Sequence, residues 1–189
     1  MNFSMMQSHL RFSPMLGSIL CCIQSLVGAI LFKSHIDYCS IAWGKSSTTL
    51  LSNLLTLQKK ALRYVSNTKF NSHTDPLFLK HNLLNVYDMI NYNLGVFMYK
   101  YTYDLLPTSF NGIFQKLHTY EQNLNYLTKV EKSSFVKSIP SSYMPKYWNS
   151  LNLEIKRSSS VNTFKTAIHL HLQSKYNMTC SKQNCYSCS

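Results

Sequence analysis

Apolar residues recur at every third or fourth position in three long stretches of the chain, which is the spacing of an amphipathic helix. The first stretch runs from Thr49 to Val65, the second begins at Asn85 and is stopped by Pro107, and the third follows serines 158–160. The pattern therefore predicts a mainly α fold. The faces predicted to point into the core are Leu50, Leu54, Leu57, Ala61, Leu62 and Val65 in the first helix, Ile90, Leu94, Phe97, Met98, Tyr101 and Leu105 in the second, and Val161, Phe164, Ile168 and Leu172 in the third.

The longest apolar stretch runs from Leu16 to Phe32, near the N-terminus. It is at the short limit for a membrane span, and Gln24 and Ser25 interrupt it. Its isoleucines and leucines also follow the helical period, so the sequence favours a buried core helix. The alternative is a membrane or signal segment.

The remaining stretches give shorter signals. Asp75-Pro76 predicts a short helix, because proline fits the first helical turn. Residues 108–147 lose the helical period, and Ser134–Ile139 is a candidate strand. We therefore expect an N-terminal segment 1–15, a helical bundle-like region 16–106, a smaller irregular or α+β segment 107–175 that ends in a helix, and a flexible tail 176–189 that contains cysteines.

The charge of the chain narrows the range of partners. Nineteen lysines and arginines stand against seven acidic residues in the 189-residue sequence, giving a formal net charge of +12. Such a field attracts RNA, DNA or anionic lipid without choosing among them. An A+T-rich coding sequence accounts for the lysine bias equally well. The five glycines are dispersed, which excludes glycine-rich phosphate loops.

Six cysteines are distributed unevenly, with three of them in the last ten residues. Disulfide-stapled domains usually spread their cysteines across the fold, so we expect a reduced intracellular protein, nuclear or cytoplasmic. We predict no metal site. The alternative is a zinc site in the tail, in which Cys180, Cys185 and Cys188 are joined by His171 as the fourth ligand.

Several segments of the chain match one known pattern when they are taken together and in order. They are His35–Gly44, Leu57–Arg63, Ser72–Phe78, Phe97–Lys100 and Pro145–Leu151, followed by Ser160 and Phe164-Lys165. In this order and spacing they resemble the C-terminal portion of reverse transcriptases from non-LTR retrotransposons, the LINE-like elements of the jockey and related clades. The resemblance covers roughly residues 24–173.

The resemblance implies a protein that lacks its catalytic centre. In this family the polymerase site lies upstream, in the palm, where two adjacent aspartates hold two magnesium ions. The four aspartates of this chain are isolated, and no Asp-Asp pair occurs. We therefore expect no enzymatic activity from the chain alone and no cofactor of its own, because magnesium would belong to the missing palm.

The matched region resembles the thumb-side helical region of the polymerase and the segment beyond it, and in the family the thumb holds the primer–template duplex. Such a surface contacts phosphates through lysines without reading bases. The resemblance and the charge together make Lys59, Lys60 and Arg63 the first candidates for nucleic-acid contact, with Lys100 and Lys146 at further matched positions. The implied partners are RNA or an RNA–DNA hybrid, and the missing palm and fingers of the polymerase. The alternative for the first three residues is a helix end whose positive charge favours the helix dipole.

Two other functional hypotheses remain at this point. One is a small basic protein anchored to a membrane by Leu16–Phe32, against which Gln24, Ser25 and the short apolar length argue. The other is an expressed retroelement relic without selected function, which departures from the family pattern at Met144 and Asn152 favour. For Trp43 and Trp148, core packing is favoured over base stacking, because both lie among apolar residues.

Overall fold

The structure is a computed structural model, and it describes residues 34, 37, 40–44, 47–117, 124–128 and 139–176. The predicted mainly α fold is confirmed. Within the described residues there is no β-strand, only an isolated antiparallel bridge between Lys116 and Tyr126, so the expected α+β character of the C-terminal segment is not found there. The helices are α1 (Ser40–Trp43), α2 (Thr48–Val65), α3 (Asp75–Lys80), α4 (Val86–Thr102), α5 (Pro140–Ser150), α6 (Leu153–Lys156) and α7 (Val161–Gln173), with a 3₁₀ turn at Thr108–Phe110.

Helix α4 is the centre of the fold, and α7, α5, α2 and α1 all pack against it. The Asn85 side chain caps its N-terminus by accepting a hydrogen bond from the backbone N–H of Asp88 at 3.0 Å. The helix ends at Thr102, well before Pro107. Asp104 takes a φ of 55°, and the Leu105 N–H then bonds back to the Lys100 carbonyl at 2.8 Å. This left-handed cap ends the helix, so the prediction that Leu105 lies on the buried face is wrong.

The main core lies between α4 and the two C-terminal helices α5 and α7. The predicted face of α7 is confirmed, since Phe164, Ile168 and Leu172 are fully buried. The ring of Phe164 stacks on Tyr99 of α4 with centroids 4.4 Å apart. Trp148 of α5 is also fully buried, which confirms core packing for this tryptophan. Helices from both sides of residue 106 thus share one hydrophobic cluster.

Helix α2 is present as predicted, and its buried face agrees with the prediction at Leu62 but not at Leu50 and Leu57. Leu50 and Leu57 are 63% and 56% exposed, and Gln58 is buried instead. The Gln58 amide donates to the Leu84 carbonyl at 2.9 Å and accepts from the Val86 N–H at 2.9 Å. These two backbone groups flank the start of α4 and need partners in the interior. These two hydrogen bonds hold Gln58 in the interior, while Leu50 and Leu57 lie in solvent.

Helix α5 lies partly in the stretch for which the sequence predicts no helix. Its residues have low helix propensity, and Pro145 stands inside it. Long-range contacts stabilise it: the Tyr143 hydroxyl donates to the Ile41 carbonyl, and the Trp148 indole donates to the Leu124 carbonyl. Packing rather than local propensity therefore forms this helix.

Three expectations fall on residues outside the described part of the chain. They are the core helix or membrane segment Leu16–Phe32, the strand Ser134–Ile139 apart from its last residue, and the three tail cysteines. Ile139 itself precedes α5 as its N-cap. Within the described part of the chain, no helix has the length and apolar character that a membrane span requires.

Candidate nucleic-acid interface

Helix α2 presents three different flanks around its axis. Leu51, Gln58 and Leu62 define the buried flank. Because successive residues are about 100° apart, Lys59 and Arg63 fall on one side of that flank and Lys60 points away from it. Lys60 is exposed, while Lys59 and Arg63 are half-buried. Helix α2 contains no acidic residue, so all the charged side chains of its C-terminal half are positive.

Arg63 has a second role, which the sequence did not reveal. Its guanidinium Nε donates to the Ser72 carbonyl at 2.8 Å. Its own carbonyl accepts from the Thr68 N–H at 3.1 Å, after a turn in which Asn67 takes a φ of 49°. Arg63 therefore fixes both ends of the loop 68–72. A guanidinium has five N–H donors, so this bond leaves others for a phosphate.

Lys100 lies in a different environment from the basic end of α2. It is half-buried and lines an open cavity of about 310 Å³ together with Asp37, Ser40 and Asn93. The Asn93 amide donates to Asp37 Oδ1 at 3.0 Å and to Ser40 Oγ at 2.8 Å. The other lining residues come from α1, α4 and Leu106, and none comes from α2. Lys100 thus faces a cavity that also holds a carboxylate.

Lys146 is exposed on α5, whereas α2 packs mainly against α3 and α4. The five predicted contact residues therefore divide into one group and two separate positions. Lys59, Lys60 and Arg63 share the end of one helix. Lys100 and Lys146 lie on two other helices.

One buried cation was missed by the sequence analysis. Lys156 is only 3% exposed, although no acidic partner is seen among the described residues around it. Its Nζ donates to Asn125 Oδ1 at 2.9 Å and to the Asn149 carbonyl at 3.2 Å, and it lies 5.8 Å from the centre of the Trp148 ring. Burial lowers the pKa of this ammonium group. Lys156 thus links α6 to α5 and to the segment 124–128.

Two aromatic residues near the basic group were also missed. Tyr64 and Phe70 are 88% and 79% exposed, the highest values among the large hydrophobic side chains described. Tyr64 directly follows Arg63, and Phe70 lies in the loop that Arg63 holds. Their position beside basic residues is visible in the sequence, but their exposure is not.

No cluster of three or more histidine, cysteine or acidic side chains suited to a metal is found among the described residues. His171, the fourth ligand of the alternative zinc site, lies half-buried in the last turn of α7. The three cysteines of that site lie outside the described residues.

Comparison with protein-family models, with curated proteins and with solved structures finds no match to this chain.

Proposed function

We propose that this chain binds RNA or an RNA–DNA hybrid without sequence specificity, through the C-terminal half of α2. The observation that carries the proposal is the grouping of Lys59, Lys60 and Arg63 within five positions of a helix without acidic residues. The net charge of +12 provides the surrounding positive field. Lysine is suited to contacts with phosphates and does not read base edges in a bidentate way.

The proposal includes an origin for the chain. The ordered resemblance to LINE-like polymerases supports a C-terminal fragment of an RNA-directed DNA polymerase, without palm and without catalysis of its own. In that setting the missing palm and fingers are a second partner, and the magnesium ions belong to them. Lys100 and Lys146 are secondary contact positions, because they lie apart from α2.

The test is a salt titration of binding to a labelled RNA–DNA hybrid. We expect the Lys59→Ala/Lys60→Ala variant to bind more weakly and to show a smaller salt dependence. Each lost phosphate contact removes roughly one unit from the slope of log K against log salt concentration. Arg63 is left unchanged in this variant, because its replacement would also release the loop 68–72.

A matched control is Lys116→Ala/Lys175→Ala, which removes the same charge from two exposed lysines outside α2. It is expected to keep most of the affinity and the slope of the unmodified chain. If the two double variants behave alike, the effect comes from net charge and α2 is not the contact surface. If the unmodified chain does not bind the hybrid, the proposed function is wrong.

A further inference from the structure

The two most exposed aromatic side chains of the described structure, Tyr64 and Phe70, lie in the basic end of α2 and in the loop that follows it. Tyr64 is in the last turn of α2, one helical turn after Lys60, so the two side chains are neighbours on the helix surface. Phe70 follows the exposed Lys69 in the next loop. A tyrosine and a phenylalanine that remain in water give up the free energy that burial of their rings would contribute. An external ligand that covers them would recover it.

The loop that carries Phe70 is held to the end of α2 by several bonds. The Arg63 guanidinium binds the Ser72 carbonyl, and the Arg63 carbonyl accepts from both the N–H and the hydroxyl of Thr68, at 3.1 and 3.4 Å. The Asn67 N–H also bonds to the Tyr64 carbonyl at 3.1 Å. Phe70 is therefore attached on both sides to the residue that precedes Tyr64. We call Tyr64 and Phe70 the aromatic platform.

We propose that the aromatic platform stacks on unpaired bases of a single-stranded RNA or DNA segment, while Lys60 and Lys69 contact its phosphates. This inference rests on the proposed function and adds that the nucleic acid is single-stranded where it contacts the end of α2. Alternation of aromatic and basic side chains is the pattern by which proteins bind single strands, because every base offers a stacking face. In a duplex those faces are occupied by neighbouring bases.

Charge decides between a nucleic acid and a second copy of the chain as the occupant of the platform. Two copies would bring together two molecules of charge +12, with Lys60 and Lys69 beside the contact on each. The polyphosphate backbone of a single strand is complementary to that field. The absence of any acidic residue from α2 points to the same choice.

The experiment compares Tyr64→Ala/Phe70→Ala with the control Leu50→Ala/Leu57→Ala, which truncates two exposed apolar residues without a ring. The probes are an RNA and a DNA single strand of one sequence, each with a central 2-aminopurine, and the RNA–DNA hybrid. We expect the platform variant to lose affinity for single strands by roughly tenfold per stacked base, and to lose the fluorescence change that stacking of 2-aminopurine produces. Hybrid affinity and the salt slope should stay close to those of the unmodified chain.

Three results would overturn the inference: equal single-strand affinity in the platform variant and the unmodified chain, an unchanged 2-aminopurine signal, or a self-association that the platform variant abolishes in sedimentation. The variant Tyr64→Phe keeps the ring and should retain stacking, which separates loss of a ring from a damaged fold. The two proposals fail separately. Binding of the hybrid without an effect of the platform variant refutes only the platform, and binding of single strands without the hybrid refutes only duplex binding.

Discussion

At the scale of single residues, Lys156 couples the stability of the fold to pH. Its ammonium group is buried with two oxygen partners, and burial lowers its pKa below the usual 10.5. The unfolded chain therefore binds the proton more tightly than the folded one. Below the pKa of the folded state, burial of the charged ammonium group lowers the unfolding free energy by its full amount. This penalty decreases as the pH rises towards 10.5, because the folded chain loses the proton first.

We therefore predict that the unmodified chain gains stability relative to Lys156→Met as the pH is raised from 7 to 10. Methionine has no proton to lose, so the difference between the two unfolding free energies should grow in favour of lysine. Urea unfolding at several pH values measures it. Lys175→Met, at an exposed position, is the control for the loss of one lysine charge. A constant difference for Lys156→Met would contradict the role assigned to this group.

The residue scale also shows what the sequence alone could not provide. The basic residues of α2 were predicted, because charge and resemblance are local properties. The loop-holding bond of Arg63, the inward turn of Gln58 and the exposure of Tyr64 were not. Each depends on a partner from another segment, such as the Ser72 carbonyl or the open backbone groups beside α4.

At the scale of elements, the helices with clear periodicity and capping residues were predictable. Asn85 and Ser160 cap α4 and α7 where the pattern places the start of these helices, and Asp75-Pro76 begins α3 as predicted. Helix α5 was not predictable, since packing of Tyr143 and Trp148 forms it against its low propensity. The exposure of Leu50 and Leu57 on α2 was also not predictable, because it depends on the bonds between Gln58 and the backbone at the start of α4.

The contact between α4 and α7 depends on the missing side chain of Gly95. A Cβ atom there would lie 2.2 Å from Ile168 Cδ1, and its next neighbours, on Tyr147 and Phe164, would be at 3.6 and 3.7 Å. Alanine at this position therefore requires the end of the buried Ile168 side chain to move. Against that cost, alanine gains about 1 kcal/mol of helix propensity relative to glycine.

We predict that Gly95→Ala destabilises the protein by about 1–3 kcal/mol, as overpacking in a full core does. Ile168→Val removes Cδ1 and alone should cost about 0.5–1.5 kcal/mol. The double variant Gly95→Ala/Ile168→Val should lose less unfolding free energy than the two single variants lose together, because the new methyl group fills the space that Cδ1 leaves. Chemical unfolding of all four proteins gives this coupling. As a control, Gly95→Ala is combined with Ile90→Val, whose side chain faces Gly44, and the two effects on the unfolding free energy should add. Additive effects in the Gly95/Ile168 pair as well would contradict the contact between these two residues.

At the scale of the whole molecule, Tyr176 joins parts of the chain that are far apart in sequence. Although the predicted division places it in the flexible tail, it packs against both hydrophobic clusters of the described structure. Its ring lies 5.9 Å from that of Phe78 in α3. Its hydroxyl donates to Asp88 Oδ2 at 2.7 Å and accepts from the Asn85 N–H at 2.9 Å. The end of α7 is thereby tied to α3 and to the start of α4.

This closure predicts different effects for two substitutions of Tyr176. Tyr176→Phe keeps the ring but leaves the Asn85 N–H without its partner, so it should cost about 1–3 kcal/mol. Tyr176→Ala also removes the ring between the clusters and should cost about 3–5 kcal/mol. Amide hydrogen exchange without denaturant provides the specific readout. The backbone N–H of Asn85 should lose protection in Tyr176→Phe, while the rest of α4 stays protected. Tyr64→Phe, at an exposed hydroxyl, should change neither quantity. Unchanged exchange at Asn85 in Tyr176→Phe would mean that the hydroxyl does not hold the start of α4.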